Sequence, residues 1–247
     1  MIPIRDTIPS RRVPFVLYGI IALNALAFFY ELGLGPREIE VFFHRYGLVP
    51  VRYSDPRVSA HFGLLDQGLP FVSSMFLHGG WLHILGNMWS LWIFGDNVED
   101  WFGHVGFALF YLGCGVAAGL LHLFFNWGSA LPTIGASGAV AGVMGAYFLL
   151  YPRARILTLV PIFVFVTFVE LPAFVFLGLW FLLQFLSGTA AAASGGAGGI
   201  AWWAHVGGFV AGAAVVFFLG GARPRRPPAG GRRPTMKPLW EKVDQYW

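Results

Sequence analysis

Apolar runs of bilayer length recur along this chain, and they restrict it to one kind of solvent. A helix needs about 20 mainly apolar residues to cross the hydrocarbon of a membrane. Residues 13–30, 105–125 and 200–219 read as such spans. Residues 81–94 form a shorter run, with Gly79-Gly80 before it and Gly95-Asp96 after it. Residues 135–151 form another, opened by Leu131-Pro132 and closed by Pro152. Residues 156–186 are too long for one comfortable helix, and Pro161 and Pro172 interrupt them. Proline breaks the internal hydrogen-bond ladder of a helix. The expected division is an interfacial apolar segment at 156–169 and a fifth span over about 171–186. Only 11% of the residues are charged, against roughly 25% in a soluble domain, so the chain reads as a polytopic membrane protein.

The remaining segments are a 12-residue N-terminus, a mixed polar stretch at 31–71, a Gly/Ala/Ser loop at 188–199 and a Pro/Arg-rich tail at 222–247. The tail lacks the apolar content needed to offset ordering. One domain over residues 13–221, with a cytoplasmic N-terminus at 1–12 and a cytoplasmic tail at 222–247, is the expected organisation. The run from Val13 is too long for the core of a signal peptide and is followed by no clear cleavage site, so it reads as a first span. The single Cys114 permits no internal disulfide and no Cys-rich metal site.

Arginine and lysine set the orientation, because they concentrate in cytoplasmic loops. With the N-terminus inside, Arg37, Arg45, Arg52 and Arg57 on the first long loop are the external members of the 16 basic residues. The basic balance therefore follows from membrane topology. No basic face is interleaved with aromatics, so nucleic acid is not an expected partner. Nothing in the sequence sets an oligomeric state. The expected surroundings are the lipid bilayer of a bacterial inner membrane, with both termini cytoplasmic.

Three polar clusters interrupt the apolar spans: His83-xxx-Asn87, Gly135-Ala-Ser137-Gly138, and Ala204-His205 followed by Gly208 and Gly212. Polar groups inside a membrane span are costly and point to function by default. In this topology the second, fourth and sixth spans all enter from the outside, so the three clusters share one external depth. Ser137 opens a helix, where backbone N–H groups lack partners and favour an anion. Residues 135–151 make about 25 Å of helix, less than the roughly 30 Å of hydrocarbon. The outer end of that span can sit below the membrane surface.

Each cluster also has a bland reading. The glycines around Ser137 suit close helix packing, a lone membrane histidine can be a packed hydrogen-bonding residue, and His83 with Asn87 can glue two helices. The functional reading combines them. Gly208 and Gly212 leave the His205 face bare, so a Gly-rich fourth span can approach and bring His205 beside Ser137. A Ser–His dyad results, with Asn87 and His83, spaced i and i+4 on one face, aimed at a developing oxyanion. No acidic residue is placed to complete a triad. His78 is expected to brace the external loop. Glu99 is expected to cap or pin the cytoplasmic end of the third span, away from any chemistry. Glu170 lies near the opposite face. His44, His61, His104 and His122 form no group, and Trp202 and Trp203 read as an outer aromatic belt.

These motifs together resemble the bacterial rhomboid intramembrane serine proteases: His78, His83-xxx-Asn87, Glu99-xxx-Gly103, Gly135-Ala-Ser137-Gly138 and Ala204-His205-xx-Gly208-xxx-Gly212. The resemblance implies an all-α bundle of six transmembrane helices with a membrane-associated first external loop. It implies Ser137 as nucleophile, His205 as its partner, and Asn87, His83 and the Ser137 N–H as oxyanion hole. His78, Glu99, Gly103, Gly135, Gly138, Gly208 and Gly212 take structural roles. The fifth span and the loop after it look like a substrate gate. The implied substrates are transmembrane proteins, cut near small residues on the external side where helix-destabilising residues lie nearby, with no metal or cofactor. The chain departs from some relatives at Ala141, where they carry an aromatic residue packed on the histidine, and the first loop lacks a common Trp-Arg pair.

Other functions remain open on the sequence. A catalytically inactive rhomboid relative that binds or escorts membrane proteins would keep the fold. A b-type haem protein could use His83 and His205, but would leave Asn87 and Ser137 without a role. A small transporter would place its broken helices at mid-membrane, whereas this polar set lies towards one face.

Overall fold

The computed structural model describes residues 1–162, 165–193 and 201–220. The C-terminal tail and the segment just before the sixth apolar run lie outside the described residues.

Strand β1 (Ile2–Asp6) comes first, followed by α1 (Phe15–Leu32). Pro14 stands at the N-cap of α1, where its missing N–H costs nothing. The mixed polar stretch contains helix α2 (Pro36–Tyr46), whose Gly35 N–H donates to the Glu38 carboxylate at 2.8 Å. Short helical turns then carry the chain to Phe76. Helices α3 (Trp81–Phe102) and α4 (His104–Phe125) follow, then α5 (Ser137–Leu150). Strands β2 (Arg155–Ile162) and β3 (Phe165–Pro172) precede α6 (Ala173–Ala193) and α7 (Trp202–Phe218). Helices α1, α4 and α6 are long and apolar enough to cross a membrane, while α5 and α7 are shorter apolar helices.

Helix α5 is the axis of the bundle. Every residue from Gly138 to Tyr147 is buried, and α3, α4, α6 and α7 pack around it. Its glycines make this possible. A Cβ on Gly208 would lie 1.9 Å from the Gly138 carbonyl oxygen, and one on Gly212 would lie 1.9 Å from that of Gly142. A Cβ on Gly145 would come within 2.1 Å of the Phe209 carbonyl oxygen. Helices α5 and α7 therefore meet backbone to backbone, the contact that small residues permit between membrane helices. Cys114 fills the groove beside Gly142 and is buried.

Three elements differ from the sequence expectation. Helix α3 does not stop at Gly95-Asp96. A Cβ on Gly95 would lie 2.7 Å from Leu17, so this glycine admits α1 instead of ending a helix. The polar residues of the extra turns find partners. Asp100 accepts the Arg11 and Arg12 N–H groups at 2.6 and 3.0 Å, and Glu99 accepts those of Val16 and Leu17 at 3.1 and 2.8 Å. Glu99 thus accepts from the N-terminal N–H groups of α1 and also takes a 2.5 Å contact from His104. Gly103, at φ +73°, makes the sharp link from α3 to α4.

The apolar segment at 156–169 belongs to a β-hairpin, so the fold is mostly helical and not all-α. Its Val, Ile, Thr and Phe residues favour a pleated strand, and β2 pairs antiparallel with β3 from Arg155↔Pro172 to Ile162↔Phe165. β1 adds to its other side, with Ile2 opposite Leu159 and Asp6 opposite Ile156. The resulting order is β1-β2-β3. Asp6 accepts hydrogen bonds from the Tyr147 hydroxyl and from Asn97 Nδ2, tying the strand to α5 and α3. Finally, α6 continues through Ala193 into the stretch read as a loop, because alanine is the best helix former and Gly188 fits against Trp202 and Trp203.

Candidate active site

The close α5–α7 contact brings the serine and the histidine together. Ser137 stands at the first position of α5 and His205 one turn into α7, and the Ser137 hydroxyl donates to His205 Nε2 at 2.8 Å. The other ring nitrogen, Nδ1, donates to Gln184 Oε1 of α6 at 2.7 Å. With Nδ1 carrying the proton, Nε2 has a free lone pair for the serine. Gln184 was not singled out in the sequence. Its signal was a lone carboxamide in an otherwise apolar span, the same signal that marked Asn87.

The residues before Ser137 close the opposite wall. Gly135 adopts φ +123°, and its N–H donates to the Ser74 carbonyl at 2.8 Å. A Cβ there would lie 2.6 Å from His83 Nε2 and 3.7 Å from Asn87 Nδ2. Only glycine lets the chain lie this close to both side chains in this conformation. Asn87 gives one amide hydrogen to His78 Nε2 at 3.0 Å. Its second is free to face the cavity, which has a volume of about 560 Å³. Ser137, His205, His83 and Asn87 all line that cavity, with Gly79, Leu82, Gly86 and the 129–134 segment completing its rim.

His78 lies deeper than a loop brace would. It is 1% exposed, its backbone N–H donates to the Glu31 carboxylate at 3.2 Å, and its ring lies 5.0 Å from that of His83. Burial first, and the neighbouring His83 second, push its pKa down to about 4, against a weak opposing backbone carbonyl at Phe76. It is neutral near pH 7 and accepts from Asn87.

His122 was also left ungrouped by the sequence. It lines the cavity, with Nε2 2.6 Å from Thr133 Oγ1 and Nδ1 accepting from Asn126 at 3.3 Å. Thr133 exchanges backbone hydrogen bonds with Leu48, so the first long loop is anchored beside the site. Trp202 stands edge-on to His205 at 6.3 Å and Trp180 lies tilted at 5.9 Å, where Ala141 offers no ring. Trp203 stacks on Phe125 at 3.7 Å. Glu99, Gly103 and Glu170 stand apart from the cavity, and Glu170 faces Arg155 at 4.0 Å across exposed surface. Among the described residues, no group of three or more His, Cys, Asp or Glu side chains could hold a metal ion.

A sequence profile described as "Rhomboid domain" matches residues 66–222. The chain belongs to the rhomboid family. The match runs from the end of the first long loop through α7 and contains every residue that lines the cavity. Among rhomboid relatives, the chain is similar to Rhomboid protein 1, mitochondrial, of Saccharomyces cerevisiae, at 33% identity over 37% of this chain and 28% of that protein. It is similar to RHOMBOID-like protein 6, mitochondrial, of Arabidopsis thaliana, at 39% over 30% of this chain and 24% of that protein. It is also similar to Presenilin-associated rhomboid-like protein A, mitochondrial, of Danio rerio, at 32% over 39% and 26%. The chain spans about a quarter of the length of these rhomboid relatives.

Proposed function

We propose that this rhomboid is an intramembrane serine endopeptidase that cuts transmembrane segments of other membrane proteins. The observation that carries the reading is the 2.8 Å hydrogen bond from Ser137 to His205 within a cavity also lined by His83 and Asn87. A packing serine and a packing histidine need no such cavity.

In this mechanism His205 Nε2 takes the proton as Ser137 Oγ attacks the scissile carbonyl carbon. Negative charge grows on the carbonyl oxygen, and the donors for it are Asn87 Nδ2, His83 and the Ser137 N–H at the start of α5. His205 then gives its proton to the leaving amine. An acyl ester on Ser137 remains, and a water deprotonated by His205 releases it. Nucleophile, base and oxyanion donors are all protein groups, so the reaction uses no metal or cofactor. The partners are transmembrane substrates and the bilayer. The basic residues favour cytoplasmic termini and a cavity open to the external face, in what this reading takes to be a bacterial inner membrane.

Wild type should react with a fluorophosphonate and cleave a single-span substrate in detergent, with chelators having no effect. Ser137→Ala should do neither while keeping its helical circular dichroism. Substantial turnover by Ser137→Ala, or an unreactive wild type, would sink the serine mechanism and favour a rhomboid that only binds its clients.

A further inference from the structure

Histidine can serve as a base towards Ser137 only in the tautomer that leaves Nε2 unprotonated. In water that tautomer is not secured, so something must hold it. Among the described residues, the hydrogen-bond partners of the His205 ring are Ser137 and Gln184. We propose that Gln184 is the positioning residue of the dyad: its side-chain carbonyl accepts the Nδ1 hydrogen and thereby fixes both the tautomer and the aim of the ring. This rests on Ser137 and His205 acting as nucleophile and base.

The choice of an amide suits the surroundings. A carboxylate in the same place would face an apolar span, where a charge is expensive. The Gln184 oxygen accepts the same hydrogen without that cost. Its bond strengthens when the ring becomes cationic, because a charged donor makes the stronger hydrogen bond. The helix face is built for the task. Trp180 lies four residues before Gln184, so both project towards α7, and Trp180 flanks the ring that Gln184 holds. Phe181 packs on Phe209 at 4.8 Å and seats that stretch of α6. Leu179, Leu182, Leu183 and Leu186 are exposed around the rest of the helix. One polar side chain therefore projects inward from a helix otherwise dressed for lipid. The facing titratable groups are His83 on α3 and His122 on α4, both on the cavity wall, and no carboxylate hydrogen-bonds the ring among the described residues.

The test uses the full chain in detergent micelles and two reactions of different reach. A small fluorophosphonate reaches Ser137 without a transmembrane segment passing α6, whereas proteolysis requires that passage. Gln184→Leu should slow fluorophosphonate labelling by about ten- to a hundredfold, a milder loss than the roughly 10⁴ seen when a triad histidine takes the wrong tautomer. Proteolysis should slow by the same factor, in kcat, with KM within about twofold. In ¹⁵N-histidine NMR spectra at pH 8, the His205 signals, identified by their loss in His205→Asn, should move from the Nδ1–H towards the Nε2–H pattern. Leu183→Ala trims an exposed side chain on the same helix and should leave labelling within about twofold of wild type, as expected of a change that spares the dyad. Gln184→Met, of equal length, replaces the leucine variant if that fails to fold. Normal labelling with altered proteolysis in the Gln184 variant, or an unchanged tautomer, overturns the proposal and assigns Gln184 to substrate passage. A wild type that does not label at all refutes the dyad itself, a different result from either.

Discussion

At the scale of single residues, the site is a set of hydrogen atoms assigned to particular nitrogens. Asn87 spends one amide hydrogen on His78 and keeps one for the cavity. Asn87→Ala should therefore slow turnover by up to about 10²-fold, towards the low end for a lost oxyanion donor because His83 and the Ser137 N–H remain. Full activity in that variant would reduce Asn87 to helix glue. His78 adds a dependence on pH. Its pKa falls from the ordinary 6.5 to about 4 in the folded chain, chiefly through burial. Between those values the unfolded chain binds the proton and the folded chain does not. Stability from this group is thus complete above pH 6.5 and is lost as pH falls towards 4, by about 3 kcal/mol in all. His78→Gln keeps an acceptor for Asn87 but cannot titrate. Its melting temperature should drop less than that of wild type between pH 7.5 and pH 5, and equal drops would contradict the argument. The sequence singled out Ser137, His205, His83 and Asn87, which line one cavity, because each is a polar group in an apolar run framed by a motif. It hid Gln184 because no motif frames it. It hid the depth of His78 because burial of a loop residue depends on what folds over it.

At the scale of elements, the pair α5 and α7 decides whether the dyad exists. Their glycines face one another so closely that a single methyl group has no room. Gly208→Ala places a Cβ 1.9 Å from the Gly138 carbonyl, so the helices must separate and Ser137 must leave His205. That variant should lose at least about tenfold in fluorophosphonate labelling and melt at a lower temperature, as overpacking costs about 1–3 kcal/mol. Gly113→Ala on α4 is the comparison, since nothing lies within 4 Å of its added carbon, and it should be neutral or slightly stabilising. Equal behaviour of the two would show that the helix contact does not govern the site. The meeting of these helices was legible from the spacing of Gly208 and Gly212. The length of α3 was not, because Gly95 looks like a helix end until Leu17 is found against it. Nor was the hairpin, since periodicity alone does not tell a short apolar run in a strand from one in a helix.

At the scale of the whole molecule, the fold has two polar poles. One holds the cavity, and the other holds the sheet in which β1 joins β2 and β3. Asp6 is the pin of that second pole, and burial raises its pKa despite the hydrogen bond from Tyr147 and those from the backbone at Ile8 and Asp6. Asp6→Ala should cost about 1–3 kcal/mol by leaving the Tyr147 hydroxyl without its acceptor, while Asn97 keeps its bond to Asp96. Trypsin should then cut at Arg5 faster, while fluorophosphonate labelling at the far pole stays near wild type. Undiminished resistance to trypsin would mean that the strand is held by its backbone ladder alone. The three longest apolar helices, α1, α4 and α6, were readable from hydropathy, because the membrane requires long apolar runs. The strand pairing was not, because it joins segments some 150 positions apart, as Ile2 opposite Leu159 does.

That separation has a consequence for how the chain comes off the ribosome. Residues 2–6 are made long before their partners at 155–159, which emerge only after α1 to α5 have been synthesised. Closing so long a loop adds an entropic cost that grows slowly with its length and delays pairing until late. During that interval β1, with its ladder groups unpaired, is an exposed edge for another strand. The N-terminal strand works as a late latch: it closes on a partner made only after helices α1 to α5.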